Sequence, residues 1–75
     1  MEMKINEFII DFSNQFDTPI EINENTIFKD LEEWDSLTAL SIILMVDEKY
    51  GMILTGDNIR NSQTINDLFE VLRNK

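Results

Sequence analysis

The chain has 75 residues, of which 43% are hydrophobic, and its fifteen acidic and six basic side chains give a formal net charge of −9. A chain of this length forms a single domain with a modest core, which we place at residues 1–75. The sequence contains neither cysteine nor histidine. Disulfides, zinc sites, iron–sulfur clusters and a nucleophile activated by histidine are therefore excluded. We expect a protein that is not an enzyme and holds no metal ion.

The negative charge also narrows the range of partners. An acidic surface repels DNA, RNA and anionic membranes, so nucleic acid is not an expected ligand. It attracts basic protein surfaces, although the same charge is equally well explained as an aid to solubility. Like-charge repulsion favours a monomer. The longest apolar run near the N-terminus, residues 8–10, is too short for a signal peptide or a membrane span, so we expect a cytoplasmic protein.

An amphipathic pattern opens the chain and predicts a helix over about residues 3–16. Pro19, the only proline, disfavours helix at Thr18 and marks the end of this element. The apolar positions of the pattern recur at helical spacing: Ile5, Phe8, Ile9, Phe12 and Phe16.

The next segment, residues 17–35, follows neither a strand nor a helix pattern and predicts a long loop with one short turn around residues 28–31. Its apolar side chains can pin it across the helices. They are Ile20, Ile22, Ile27, Phe28, Leu31 and Trp34. Trp34 can pack the loop onto the core or border a site at the start of the next helix, and we favour packing.

Residues 36–50 form the longest apolar segment and predict a helix with Asp35 or Ser36 as its N-cap and Gly51 as its C-cap. Two apolar faces compete within it. One is the stripe Ala39, Ile42, Ile43, Val46 and Tyr50; the other is Leu37, Leu40 and Leu44. Either the other helices surround this one completely, or the leucine face is exposed and marks an interaction site.

The remaining residues predict two further helices and no strand. Thr55 or Asp57 suits the cap of a short helix over about residues 57–61. Thr64 and Asp67 form a capping box for the last helix, with Arg73 and Lys75 at its negative end. The apolar face of that helix is Ile65, Leu68, Phe69 and Leu72. We therefore predict an all-α fold, a small four-helix bundle of three longer helices and one short helix with a long first loop.

Ser36 raises a chemical question because nothing in the chain can activate its hydroxyl. Asp35 and Ser36 either only cap the helix or form a site on which another enzyme acts. A phosphodiester on Ser36 would lie in the favourable field of a helix N-terminus, near backbone N–H groups without intrahelical partners.

Four segments in register resemble the acyl carrier protein family over nearly the full length of the chain. They are F-x-x-L at residues 28–31, D-S-L at 35–37, E-K-Y-G at 48–51 and T-I-N-D-L at 64–68. The length, acidity and helix order also resemble those of stand-alone members. The resemblance implies a four-helix bundle in which Ser36 carries a 4′-phosphopantetheine arm and Asp35 and Leu37 complete the attachment motif.

The resemblance further implies that a separate phosphopantetheinyl transferase uses Mg²⁺ to move the arm from coenzyme A to Ser36. The thiol of the arm would carry acyl groups as thioesters, which explains a chain with no base and no cysteine of its own. The implied partners are acyl-activating, acyl-transferring or condensing enzymes with basic docking patches. The implied pathway is fatty-acid synthesis or a specialised acyl or polyketide pathway.

In this family the second helix recognises partners through apolar and acidic positions. The matching residues here are Leu37, Leu40, Ser41, Leu44, Asp47 and Glu48. Positions two and five after the serine, often acidic in fatty-acid carriers, are Thr38 and Ser41, and Glu33–Trp34 replaces a glycine-containing pair. A dedicated carrier of a specialised pathway is therefore at least as well supported as a housekeeping one.

Two alternatives remain open: an aminoacyl or peptidyl carrier, and an unmodified interaction subunit with an acyl-carrier fold. The sequence does not identify the cargo. We expect a loaded chain to insert between the second and third helices, where the apolar residues are Ile43, Val46, Ile53 and Ile59.

Overall fold

Four α-helices follow one another along the chain in the computed structural model, which describes residues 4–17 and 20–74. They are α1 (Ile5–Ser13), α2 (Ser36–Tyr50), α3 (Gly56–Arg60) and α4 (Ile65–Arg73), with a 3₁₀ turn at Phe28–Asp30. Within the described residues the only extended pairing is one isolated antiparallel bridge between Ile27 and Thr64. The predicted fold class, a small all-α bundle of three longer helices and one short one, is confirmed. The predictions made for Thr18, Pro19 and Lys75, and the predicted start of the first helix at residue 3, lie outside the described residues.

The first helix is shorter than the apolar pattern predicts, because α1 ends at Ser13 and not at Phe16. The Ser13 hydroxyl donates to the carbonyl of Ile10 at 2.8 Å. The amides of Gln15 and Phe16 then donate to carbonyls three residues back, at 3.1 and 3.2 Å. Polar side chains that bond to nearby backbone favour such tight turns over helix. Phe16 is nevertheless buried, so it belongs to the predicted apolar face without belonging to the helix.

The boundaries of α2 agree with the sequence prediction, and Asp35, not Ser36, is its N-cap. The Asp35 side chain accepts a hydrogen bond from the backbone N–H of Thr38 at 2.8 Å. At the other end Gly51 adopts φ 63°, a left-handed conformation that costs glycine little.

Both later helices begin with capping boxes. Thr64 accepts from the N–H of Asp67, and the Asp67 carboxylate accepts from the N–H of Thr64, as predicted. At α3 the N-cap is Thr55, and its reciprocal partner is Asn58. The helix begins and ends one residue earlier than predicted, since the Thr55 cap fixes its start at Gly56.

The core combines side chains from all four helices and from the long loop. An aromatic cluster lies at its centre: the Phe8 ring is 6.1 Å from Phe12 and 5.8 Å from Phe69, and Phe12 is 5.8 Å from Phe28. Aromatic pairs at these distances add to the stabilisation from burial. The buried apolar residues are Phe8, Phe12, Phe16, Phe28, Ile42, Met45, Val46, Leu54, Ile59, Ile65, Leu68, Phe69 and Leu72.

Hydrogen bonds and aromatic packing hold the long loop against the bundle. The N–H groups of Ile65 and Asn66, at the start of α4, donate to loop carbonyls at 3.2 and 2.9 Å. Trp34 stacks on Phe12, with ring centroids 6.2 Å apart and 7° between planes, and meets Phe28 edge-on at 4.9 Å. The packing interpretation of Trp34 is therefore confirmed. Because Trp34 directly precedes the N-cap of α2, the same packing fixes where α2 begins.

A polar contact joins α1 to the C-terminal end of α2. Asp11 accepts from Lys49 Nζ at 3.0 Å and from the Tyr50 hydroxyl at 2.7 Å. Partial burial acts to raise the pKa of Asp11, but the hydrogen bonds from Tyr50 and Lys49 and the Lys49 charge outweigh it and leave that pKa below its usual value. Burial, and then the bond to Asp11, raise the pKa of Tyr50 above its usual value.

Candidate functional site

Ser36 is the first residue of α2, and its side chain is exposed. The first backbone hydrogen bond of the helix runs from Ala39 N to Asp35 O, at 3.0 Å. The N–H groups of Ser36 and Leu37 therefore precede the first intrahelical bond and lie at the positive end of the helix dipole. The Leu37 N–H also interacts with the Asp35 carboxylate, which leaves the Ser36 N–H for a group attached to Ser36. An anionic group attached to the Ser36 hydroxyl would meet favourable electrostatics here.

Asp35 is fixed beside Ser36 as a negatively charged cap. Its Oδ1 atom accepts from the N–H of Thr38 at 2.8 Å and from the Thr38 hydroxyl at 3.0 Å. These two hydrogen bonds hold the pKa of Asp35 below its usual value. A general base works best when its pKa lies near the operating pH, so this carboxylate is a poor base for Ser36. The geometry therefore favours Asp35 as a helix cap over Asp35 as a base for Ser36.

The leucine face of α2, defined by Leu37, Leu40 and Leu44, is exposed to solvent. The three side chains are 74%, 51% and 52% exposed. The alternative in which the other helices surround α2 completely is therefore wrong. At about 100° of rotation per residue, the predicted partner residues all fall on one side of the helix. Asp47 and Glu48 are exposed on this side and Ser41 is half-buried.

The opposite side of α2 packs onto the core. Of the predicted stripe, Ile42 and Val46 are fully buried, whereas Ala39, Ile43 and Tyr50 are half-buried against the core cluster. Thr38 is also buried, although its hydroxyl makes it look like a surface residue in the sequence. Its burial is tolerated because the hydroxyl is hydrogen-bonded to Asp35.

A groove beside Ser36 went unrecognised in the sequence. It has a volume of about 350 Å³ and is lined by residues 15–17 after α1, by Glu33, and by Asp35, Leu37, Thr38 and Ser41 around the start of α2. Three separate segments form it. No sequence signal could have revealed it, because the groove depends on how the turn after α1 packs against α2.

The four residues predicted to surround a sequestered acyl chain differ in exposure. Val46 and Ile59 are 0% and 7% exposed and belong to the core. Ile43 is half-buried against that core. Ile53, by contrast, is 71% exposed and lies just beyond the C-cap of α2.

Two classes of feature are absent from the part of the chain that the structure describes. Across residues 4–17 and 20–74, no three acidic side chains come together as metal ligands. No helix within those residues has the length and apolar character needed to cross a membrane.

Comparisons of the chain with family models, curated proteins and solved structures find no match. Any role for Ser36 therefore has to be argued from its geometry and from the sequence motif around it.

Proposed function

We propose that the chain is an acyl carrier protein that bears a 4′-phosphopantetheine arm on Ser36. The observation that carries the proposal is the position of Ser36: an exposed hydroxyl at the first residue of α2, next to a charged cap that is a poor base for it. The D-S-L motif and the family resemblance support the same assignment. The residues present fit the arm, because covalent attachment needs an accessible hydroxyl, and the Ser36 N–H near the phosphate has no intrahelical partner.

In the attachment step, Ser36 Oγ would attack the β-phosphorus of coenzyme A. The new O–P bond replaces the P–O–P link, adenosine 3′,5′-bisphosphate leaves, and the hydroxyl proton passes to a base of the transferase. Mg²⁺ held by the transferase with the donor would offset the charge on the phosphates. The positive end of α2 then stabilises the phosphodiester. The attached arm supplies a thiol that carries acyl groups as thioesters, and the chain itself catalyses nothing.

The leucine face and the acids at the end of α2 support docking of partner enzymes. Exposed apolar side chains supply contact area, while Asp47, Glu48 and the net charge of −9 steer basic surfaces toward it. The partners are the phosphopantetheinyl transferase and then acyl-activating, acyl-transferring or condensing enzymes. Docking of this kind forms fast and dissociates readily, as a carrier that visits several enzymes requires.

The proposal is tested by the intact mass of the protein before and after incubation with coenzyme A, Mg²⁺ and a broad-specificity phosphopantetheinyl transferase. We expect one arm on the natural chain, none on Ser36→Ala, and one on the matched control Ser13→Ala, whose serine also lies at a helix end. Circular dichroism verifies that each protein is folded. A folded natural chain that accepts no arm contradicts the proposal and favours the unmodified interaction subunit. Loading followed by amino-acid rather than acyl transfer favours the aminoacyl carrier.

A further inference from the structure

The groove beside Ser36 lies within reach of anything attached to that residue. Two of its lining residues, Asp35 and Leu37, flank Ser36 directly, and its far wall is the turn after α1. Its volume of about 350 Å³ falls at the lower end of the range of about 300–1,000 Å³ that is usual for small-molecule sites. We propose that the pantetheine arm folds back into this groove when the carrier is not docked, an inference that rests on the proposed function.

The groove offers a suitable side chain to each kind of group in the arm. Next to its phosphate the arm has a dimethyl-substituted carbon, and Leu37, the residue after Ser36, is 74% exposed and gains cover from it. Further on the arm has amides, and Ser41 and Gln15 offer polar groups to them. Phe16, only 9% exposed, gives the methylene segments an apolar floor.

The charge of the groove favours the arm over anionic ligands. Asp17, Glu33 and Asp35 all line it. Beyond its phosphate the arm is uncharged and its amide N–H groups are donors, so carboxylates are suitable acceptors for them. The phosphate itself stays outside, near the N–H groups at the start of α2. A cargo that ends in a carboxylate would be repelled from the groove.

The alternative resting place, between α2 and α3, includes core side chains. Val46 and Ile59 are 0% and 7% exposed, so a chain inserted beside them would have to displace packed atoms. The groove already exists without rearrangement, so occupying it costs the ordering of the arm and the partial desolvation of its polar lining.

The first test compares amide spectra of the protein with and without the arm and measures nuclear Overhauser contacts to the arm protons. Changes at Asp35, Leu37 and Thr38 follow from attachment alone and decide nothing. We expect shifts at the amides of Gln15 and Phe16 and contacts between the arm methylene protons and the Phe16 ring. Shifts confined to residues 35–39, or arm contacts at Ile53 and Ile59 instead, overturn the inference.

The second test measures how fast the thiol of the attached arm is alkylated. The thiol is shielded while the arm lies in the groove, so an arm that is bound half of the time is alkylated at half the rate of a free arm. Ser41→Phe fills the groove and should therefore raise the alkylation rate at least about twofold. Asn6→Phe adds an aromatic ring on the exposed side of α1, outside both the groove and the docking face, and should leave the rate unchanged. Equal rates for Ser41→Phe and the natural chain overturn the inference.

A chemically attached arm separates this inference from the proposed function. Because the chain has no cysteine, Ser36→Cys provides a single thiol that an iodoacetamide derivative of pantetheine can alkylate. If the transferase fails to load the natural chain, the proposed function is wrong, and the chemically attached arm still reports on the groove. If the transferase loads the chain and neither arm contacts Phe16, the groove inference alone is wrong.

Discussion

Replacing Leu44 with alanine should weaken docking while leaving the bundle nearly as stable as before. Leu44 is 52% exposed, so it contributes about half of the roughly 1.5–3 kcal/mol that full burial of a leucine provides. Truncation leaves the β-carbon and creates no enclosed cavity, and alanine has the higher helix propensity. We therefore expect the free energy of unfolding to fall by less than about 1 kcal/mol.

Leu72 is the matched control because it is fully buried in α4. Leu72→Ala removes the same atoms from the core and leaves a cavity, which costs about 2–5 kcal/mol. A 75-residue domain has only a few kcal/mol of stability in total, on the order of 0.1 kcal/mol per residue. A Leu72→Ala variant that is largely unfolded without urea therefore also agrees with the prediction.

Urea unfolding of the two variants and the natural chain supplies the comparison, with circular dichroism for the helices and Trp34 fluorescence for the packed loop. A second measurement, kcat/KM of the transferase with each folded protein as substrate, reports docking. We expect Leu44→Ala to lower kcat/KM by more than its small loss of stability explains. Equal destabilisation by Leu44→Ala and Leu72→Ala would refute the reasoning, since Leu44 would then be a core residue. An unchanged kcat/KM would remove Leu44 from the docking surface.

Two further predictions concern the frame that holds the site. Gly51→Ala should lower stability by about 1–2 kcal/mol, because alanine is strained at the left-handed φ of 63°. Crowding adds nothing to this cost, since the new β-carbon meets no atom within 4 Å. Gly56→Ala, equally uncrowded and at an ordinary φ, should be neutral or stabilising by up to about 1 kcal/mol. The urea midpoints of the two variants test both predictions, and equal effects of the two substitutions would contradict the reasoning. Asp11, whose folded-state pKa is lowered, contributes stability at pH values above its unfolded pKa of about 3.9, and this stability is lost as the pH falls through the folded value. Asp11→Asn should therefore have a lower urea midpoint than the natural chain at neutral pH and a nearly equal midpoint in strong acid. A difference in midpoint that persists in strong acid would refute this, and so would an equal difference produced by Asp30→Asn.

The helix ends could be predicted from the sequence because the interactions that fix them are local. The cap at Asp35, the box at Thr64 and Asp67, and Gly51 after α2 each depend on residues within a few positions of one another. Ser36 could be singled out for the same reason, since its motif and its place at the start of α2 are contained in a few residues.

Whether the bundle also covers the leucine face of α2 could not be predicted from the sequence. Both faces of this helix are apolar, so its own pattern does not say whether one or both are buried. That depends on where α1, α4 and the long loop pack, and these pack around an aromatic cluster whose members are far apart in the chain.

The position where α1 ends and the presence of the groove also depend on how distant parts of the chain pack together. The apolar spacing continues to Phe16, but the chain turns at Ser13 and places Phe16 in the core from outside the helix. That turn then becomes one wall of the groove beside Ser36. Local sequence therefore places an exposed serine at the start of a helix. The long-range packing of the chain gives that serine an adjacent groove and an exposed leucine face, because burial is determined by contacts between residues that are distant in sequence.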